Sequence, residues 1–133
     1  MRCVLILLLL SFSFGRESEN KRRVRRKTIS VFAVKCRKTP GFRAYEQGNV
    51  KMCIYYSEKK TTYYHADAHC KSFGGRLALL DTDTKFHMVS SIKNAWVRYK
   101  DDETLCSCLR CINLTYHMCI TDPKVYLCQI NIV

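Results

Sequence analysis

Cysteine sets the terms on which this 133-residue chain can fold. Of its nine cysteines only Cys3 lies before position 36. Cys3 falls in a stretch with the layout of a secretory signal peptide. Met1-Arg2 is a short basic start, Val4 to Leu10 is an unbroken apolar run, and Ser11 to Gly15 holds small residues. The run is too short for a membrane-spanning helix, which takes about 20 residues. Removing residues 1–15 leaves eight cysteines, at 36, 53, 70, 106, 108, 111, 119 and 128. Such a chain enters an oxidising compartment and is expected to be secreted and extracellular. An even number of cysteines in a small secreted domain predicts a disulfide framework. The length allows one domain. Its core is small enough that disulfides, each worth roughly 2–4 kcal/mol, carry a substantial part of its stability.

The clearest local pattern runs from Cys53 to Leu80 and reads as strand, helix, glycine turn, strand. Tyr63, Ala66, Cys70 and Phe73 recur at helical spacing and form one apolar face. Thr61 or Thr62 can cap the helix, because a hydroxyl accepts from the open N–H groups of a first turn. Gly74-Gly75 can end it, because left-handed backbone is cheap only without a Cβ. Further on, Asp81-Thr82-Asp83 predicts the cap of a second helix, with Phe86, Val89 and Ile92 on one face and its end near Asn94. Ala95-Trp96-Val97 reads as a short buried strand. Upstream, Thr28 to Val34 has strand-forming composition and reads as a first edge strand or a linker. Pro40-Gly41 marks a turn.

These residues resemble the first half of a C-type lectin-like domain. The likeness rests on Cys53, the aromatic pair Tyr55-Tyr56, Ser57, an aromatic Tyr63 three before Ala66, Ala66 four before Cys70, and then Gly74-Gly75-Arg76-Leu77-Ala78. The family usually has Trp where Tyr63 stands. Tyr126-Leu127-Cys128-Gln129-Ile130 is similar to the family's closing strand, so the resemblance runs from about Cys36 to Ile130. It implies an α+β fold in which two helices pack on small antiparallel sheets stapled by disulfides. It implies a bridge between Cys70 and Cys128. It also implies one between Cys36 and Cys53, closing an added N-terminal hairpin. A third bridge joins Cys119 to an upstream cysteine; Cys106 fits the family spacing best, and Cys108 and Cys111 are the other candidates. The two cysteines left over pair with each other or link two chains as a dimer.

The second half departs from the family. The Gly expected after the core strand is Arg98. Only Lys100 to Leu105 separates Tyr99 from Cys106, where the family has a long looped region carrying a Glu-Pro-Asn or Gln-Pro-Asp triplet for calcium and sugar. Leu114-Thr115-Tyr116 occupies the place of the Trp-Asn-Asp triplet. Calcium takes six to eight oxygens. Asp101-Asp102-Glu103 is the nearest supply, and without a second spaced set it reads as a solvated acidic turn. His65 and His69 have the spacing of a zinc pair. They lack the metalloprotease Glu, which is Ala66 here, and lie opposite the apolar face, so they read as exposed and polar. Cys106-Ser-Cys108-Leu-Arg-Cys111 looks like a thiolate metal loop, but in an oxidising compartment disulfides outrank metal. No metal or cofactor is expected. Asn113-Leu114-Thr115 is an N-glycosylation sequon. No nucleophile, base and orienting group can be assembled, so the chain is not expected to be an enzyme.

The formal charge is +12, or +11 once Arg2 leaves with the leader. Much of it sits in residues 16–35, a polar and then basic segment that reads as an exposed arm ahead of a domain spanning 36–133. Arg23, Arg25 and Arg26 form an Arg-x-Arg-Arg sequence. It suits cleavage by a proprotein convertase, contact with a sulfated polyanion, or a plain solubilising tail. Taken together, the resemblance and its gaps lead to a secreted C-type lectin-like module that binds carbohydrate without the usual calcium site. The alternative is a scaffold that contacts protein or polyanion through the basic arm. The expected partners are a glycan or an extracellular protein, with no nucleic acid and no membrane span.

Overall fold

The structure is a computed structural model that describes residues 28–101 and 105–133. The chain divides into two units, residues 1–30 and 31–133. In chain order the second unit contains α1 (Val31–Arg37), β1 (Phe42–Gln47), β2 (Val50–Tyr56), α2 (Tyr63–Ser72), β3 (Arg76–Leu77), α3 (Asp83–Met88), β4 (Ala95–Val97), β5 (Ser107–Leu109), α4 (Met118–Thr121) and β6 (Val125–Ile130). The unit is α+β, built on a mixed sheet.

The last strand is the hub. One edge of β6 pairs antiparallel with β2, where Cys53 faces Ile130 and Tyr56 faces Leu127. Its other edge pairs antiparallel with β3 and parallel with β4. β1 extends the sheet beyond β2, and β5 extends it beyond β4. The β1–β2 turn places Gly48 at φ +59°, a conformation most side chains resist. The expectation of small antiparallel sheets is therefore corrected: one six-stranded sheet forms, and its β4–β6 pair is parallel. The chain returns to β6 through α4 and a turn, so β4 and β6 run the same way.

Successive side chains of a strand point to opposite faces, and here both faces are covered. Cys53, Trp96, Cys108, Tyr126 and Cys128 lie on the side of α2, with its Tyr63, Ala66 and Cys70. Met52, Ile54, Ala95, Val97, Leu109 and Leu127 lie on the other, with Val89 and Ile92. The apolar run Met52-Cys53-Ile54 is thus one strand feeding two cores. Cys36, Cys53, Cys70, Cys106, Cys108, Cys119 and Cys128 all belong to the α2-side core, and Cys111 packs against it. That side is stapled. The far side is held by aliphatic burial.

Two local expectations are corrected. Thr28 to Val34 forms no strand; Val31–Arg37 is helical and buries Ala33 and Cys36. Ala33 and Cys36 are three apart, so a helix brings both to the core on one face, which outweighs β-branched composition. Lys35 and Arg37 lie in its last turn, where cations suit the helix dipole. The second helix, α3, starts as expected, with the Thr82 hydroxyl accepting from the Lys85 N–H at 3.3 Å. It stops at Met88 rather than near Asn94. Arg110 binds at the early end. Its guanidinium donates to the carbonyls of Phe86, Val89 and Ile92 at 3.1, 2.8 and 2.9 Å, and lies 4.2 Å from the centre of the Phe86 ring. Of the three, only Phe86 lies within α3, and the Val89 carbonyl also accepts from the Ile92 N–H at 3.1 Å, so the arginine holds a single tight turn that follows the helix.

α2 begins at Thr62, but the Thr62 hydroxyl bonds the His65 ring at 2.9 Å and makes no cap bond to the backbone. Its C-terminus closes as a Schellman motif. Gly74, at φ +84°, donates to the Lys71 carbonyl, and Gly75 donates to that of Cys70. Gly75 has a second constraint: a Cβ there would strike the Gln129 carbonyl. The turn is therefore pressed directly against β6.

Asp67 ties α2 to β3. Its carboxylate accepts from Arg76 Nε at 3.0 Å, Arg76 Nη2 at 3.0 Å and the Leu77 N–H at 3.1 Å, with Lys71 at 3.5 Å. Burial pushes this carboxyl up, but the bonds from Arg76 and Leu77 and the charges of Arg76 and Lys71 outweigh it and hold the group below its ordinary value. A depressed folded value adds stability above the unfolded carboxylate range, and that stability is lost as pH falls through the folded value. Asp67→Asn should therefore cost about 2 kcal/mol at pH 7, since it leaves a neutral amide beside Arg76. It should cost much less at pH 2. Urea midpoints at the two pH values check this; an equal loss at both would show that the ion pair contributes nothing.

Candidate functional site

Four disulfides frame the unit: Cys36–Cys53, Cys70–Cys128, Cys106–Cys119 and Cys108–Cys111. Their Cα separations of 5.1–5.7 Å lie within the range that a disulfide bridges. Cys70 of α2 thereby reaches Cys128 of β6, and Cys36 of α1 reaches Cys53 of β2. The two cysteines left over by the resemblance, 108 and 111, are joined to each other across the tight turn at Arg110. This leaves no cysteine from 36 to 128 for a bond to a second chain.

A cleft of about 340 Å³ opens where the end of α2, β3, α3 and the end of β6 meet. Its walls carry Arg76, Lys85, Arg98, Asp101, Gln129 and Asn131. β3 supplies Arg76, the middle of α3 supplies Lys85, and the residue after β4 supplies Arg98. Gly74 and Gly75 form part of the rim, where the absence of side chains keeps the cleft open.

Arg98 follows directly on the buried strand β4. It is only 8% exposed. Nε donates to the Leu77 carbonyl at 2.9 Å, and Nη1 lies 3.5 Å from the Asp101 carbonyl and 3.6 Å from its carboxylate. The backbone is fixed on both sides, because the Arg98 N–H donates to Ala78 and the Arg98 carbonyl accepts from Leu80. A buried guanidinium needs such partners. Lys85 pairs with Asp81 at 2.9 Å, and that hydrogen bond holds the Asp81 carboxyl below its ordinary value. The Gln129 side-chain oxygen accepts from the Leu79 N–H at 3.1 Å, which commits its oxygen to the backbone and leaves its NH₂ as a donor.

The other sequence candidates lie elsewhere. His65 bonds Thr62, while His69 shares a 2.5 Å hydrogen bond with the Tyr126 hydroxyl and packs on Phe73 with centroids 4.8 Å apart. Each imidazole thus has its own partner, and they do not form a pair. Burial, and then the neighbouring Tyr55, push the Tyr126 phenol up. Among the described residues no group of three or more His, Cys, Asp or Glu is placed to hold a metal. Asp101 faces Arg98; Asp102 and Glu103 lie outside the described residues. Asn113 is exposed, at φ +55°, beside an apolar groove lined by Leu105, Leu114, Tyr116 and the Cys106–Cys119 bridge. The leader at 1–15 and Arg23, Arg25 and Arg26 of the arm lie outside the described residues. No helix among the described residues is long and apolar enough to cross a membrane.

Sequence reasoning missed the cleft. Its residues are spread from Gly74 to Asn131, and only Arg98 stood out, as a charged residue directly after an apolar strand. No protein-family model matches the chain, and no curated protein matches it.

Proposed function

We propose that the chain is a secreted C-type lectin-like recognition module that binds glycans without calcium. Support for the class comes from the disulfides: Cys36–Cys53 and Cys70–Cys128 are the pairs the resemblance implies, and Cys106–Cys119 is the one of three candidate third bridges that best fits the family spacing. Four disulfides in one small unit also favour an oxidising, extracellular setting.

The observation that carries glycan binding is the cleft. Its wall offers arginine, lysine and carboxamide donors on a rigid floor, and polar groups of this kind bond sugar oxygens directly. A calcium ion would meet three cations there and a single carboxylate, far from the oxygen set it requires. The module is a binder rather than a catalyst.

The test is retention of the secreted chain on immobilised glycans of differing sequence, with and without EDTA. Retention on at least one glycan, unchanged by EDTA, is the expected result. Elution by EDTA would refute the calcium-free mechanism, and no retention on any glycan would remove the reading altogether.

A further inference from the structure

We infer that the cleft selects acidic saccharides, gripping a sulfate ester or carboxylate of the glycan with Arg76, Lys85, Arg98, Gln129 and Asn131. The inference rests on glycan recognition as proposed above and adds the chemistry of the ligand.

The balance of donors and acceptors carries it. Arg76 gives Nε and Nη2 to Asp67, which fixes its plane; among the described residues Nη1 has no partner. Arg98 spends Nε on the Leu77 carbonyl and holds Asp101 only loosely through Nη1. Gln129 has its oxygen occupied by Leu79. The Asn131 carboxamide makes no hydrogen bond among the described residues and is exposed on the rim. The one carboxylate in the wall is that of Asp101, whose side chain is 84% exposed. The wall is therefore rich in donors and poor in acceptors. A neutral sugar offers hydroxyls that both give and take, and it needs acceptors as well as donors. Sulfate and carboxylate only accept, and charge-assisted bonds to them are about twice as strong as neutral ones.

The cations are also in place before a ligand arrives. Arg98 is held by a backbone carbonyl and shielded from solvent, so its field is screened less than that of a surface lysine. Arg76 is held by Asp67. Such preorganisation removes part of the ordering cost of binding. The Lys85–Asp81 pair is partly exposed, and pairs of that kind are weak enough to give way to a better anion. About 340 Å³ lies in the range of small-ligand clefts and suits one or two sugar units rather than a long chain.

The experiment uses the full secreted chain and three probes in calorimetry: a heparin-derived sulfated disaccharide, the same disaccharide desulfated and carboxyl-reduced, and a neutral mannose disaccharide. The sulfated probe should bind at least about tenfold more tightly than either neutral one. Lys85→Glu and Asn131→Asp should each weaken it about tenfold, the scale of one lost charged hydrogen bond. Asn131→Asp replaces a side chain without hydrogen bonds, so its melting temperature should match that of the parent. Equal binding of neutral and sulfated probes, or sulfated binding indifferent to both substitutions, would overturn the inference and leave glycan recognition standing. Binding of none of the three would remove the inference, and retention on the glycan panel would then decide separately whether glycan recognition survives. A charge-reversed Lys85 variant that unfolds leaves Asn131→Asp to decide.

Discussion

Replacing Cys70 and Cys128 together with alanine is expected to lower the folding free energy by about 4 kcal/mol. The two residues are separated by 58 positions, the longest span closed by any of the four disulfides. In the chain-entropy account a cross-link restricts the unfolded chain in proportion to the logarithm of the loop it closes. Cys108 and Cys111 are only three positions apart, so the same account gives that bridge about 2 kcal/mol. The Cys70–Cys128 bond also joins α2 to the strand on which β2, β3 and β4 all pair, and both cysteines are fully buried. For a domain of about 100 residues a loss of this size should lower the melting temperature by about 20 °C. Differential scanning calorimetry of Cys70→Ala/Cys128→Ala against Cys108→Ala/Cys111→Ala checks the ranking. A larger loss from the short bridge would overturn the loop-length account for this protein.

The part of the fold legible in the sequence was the part written in local periodicity. Tyr63, Ala66 and Cys70 marked the buried face of α2, Gly74-Gly75 its end, Thr82 the start of α3, and Ala95-Trp96-Val97 a buried strand. Failures came where a distant residue decides. The start of α1 read as an edge strand or a linker because Ile29, Val31 and Val34 favour a strand, yet Val31 and Val34 are exposed and Ala33 and Cys36 do the burying. α3 ends early where Arg110, some twenty residues on, bonds the Phe86 carbonyl and those of the turn after it, at Val89 and Ile92. The parallel pairing of β4 with β6 left no local trace, since no pattern within Ala95–Val97 names its neighbour.

The cleft was illegible for the same reason, with one exception. Arg98 could be flagged because a charged side chain directly after an apolar core strand must find partners. Its partners are a backbone carbonyl of β3 and Asp101, and neither could be assigned before the strands were placed. The cysteines show the reverse. Their alternation with Met52, Ile54 and Leu127 already encoded two faces, although which face would carry the staples emerged only when α2 was seated on the sheet.

Trp96→Ala is expected to cost about 4 kcal/mol, at the level of the longest disulfide. Trp96 is the chain's one tryptophan and is 0% exposed. Its ring meets Tyr63 of α2 edge to face, with centroids 5.7 Å apart and planes at 89°. Its indole N–H donates to the Thr61 carbonyl at 2.8 Å, and that oxygen also accepts from the Lys124 N–H at 2.9 Å. One side chain thus bridges β4, the start of α2 and the approach to β6. Alanine would leave a cavity on the stapled side and remove one of the two bonds at the Thr61 carbonyl. Trp96→Phe keeps an aromatic partner for Tyr63 but loses the N–H donor, and should cost about 2 kcal/mol. Urea unfolding followed by circular dichroism measures all three proteins on one scale. In the parent, tryptophan emission should shift to longer wavelength in the same transition, because this residue passes from a dry core to water. A loss below about 1 kcal/mol for the alanine variant would show that α2 is held on the sheet by Cys70–Cys128 and the Asp67–Arg76 pair, with the Trp96–Tyr63 contact adding little.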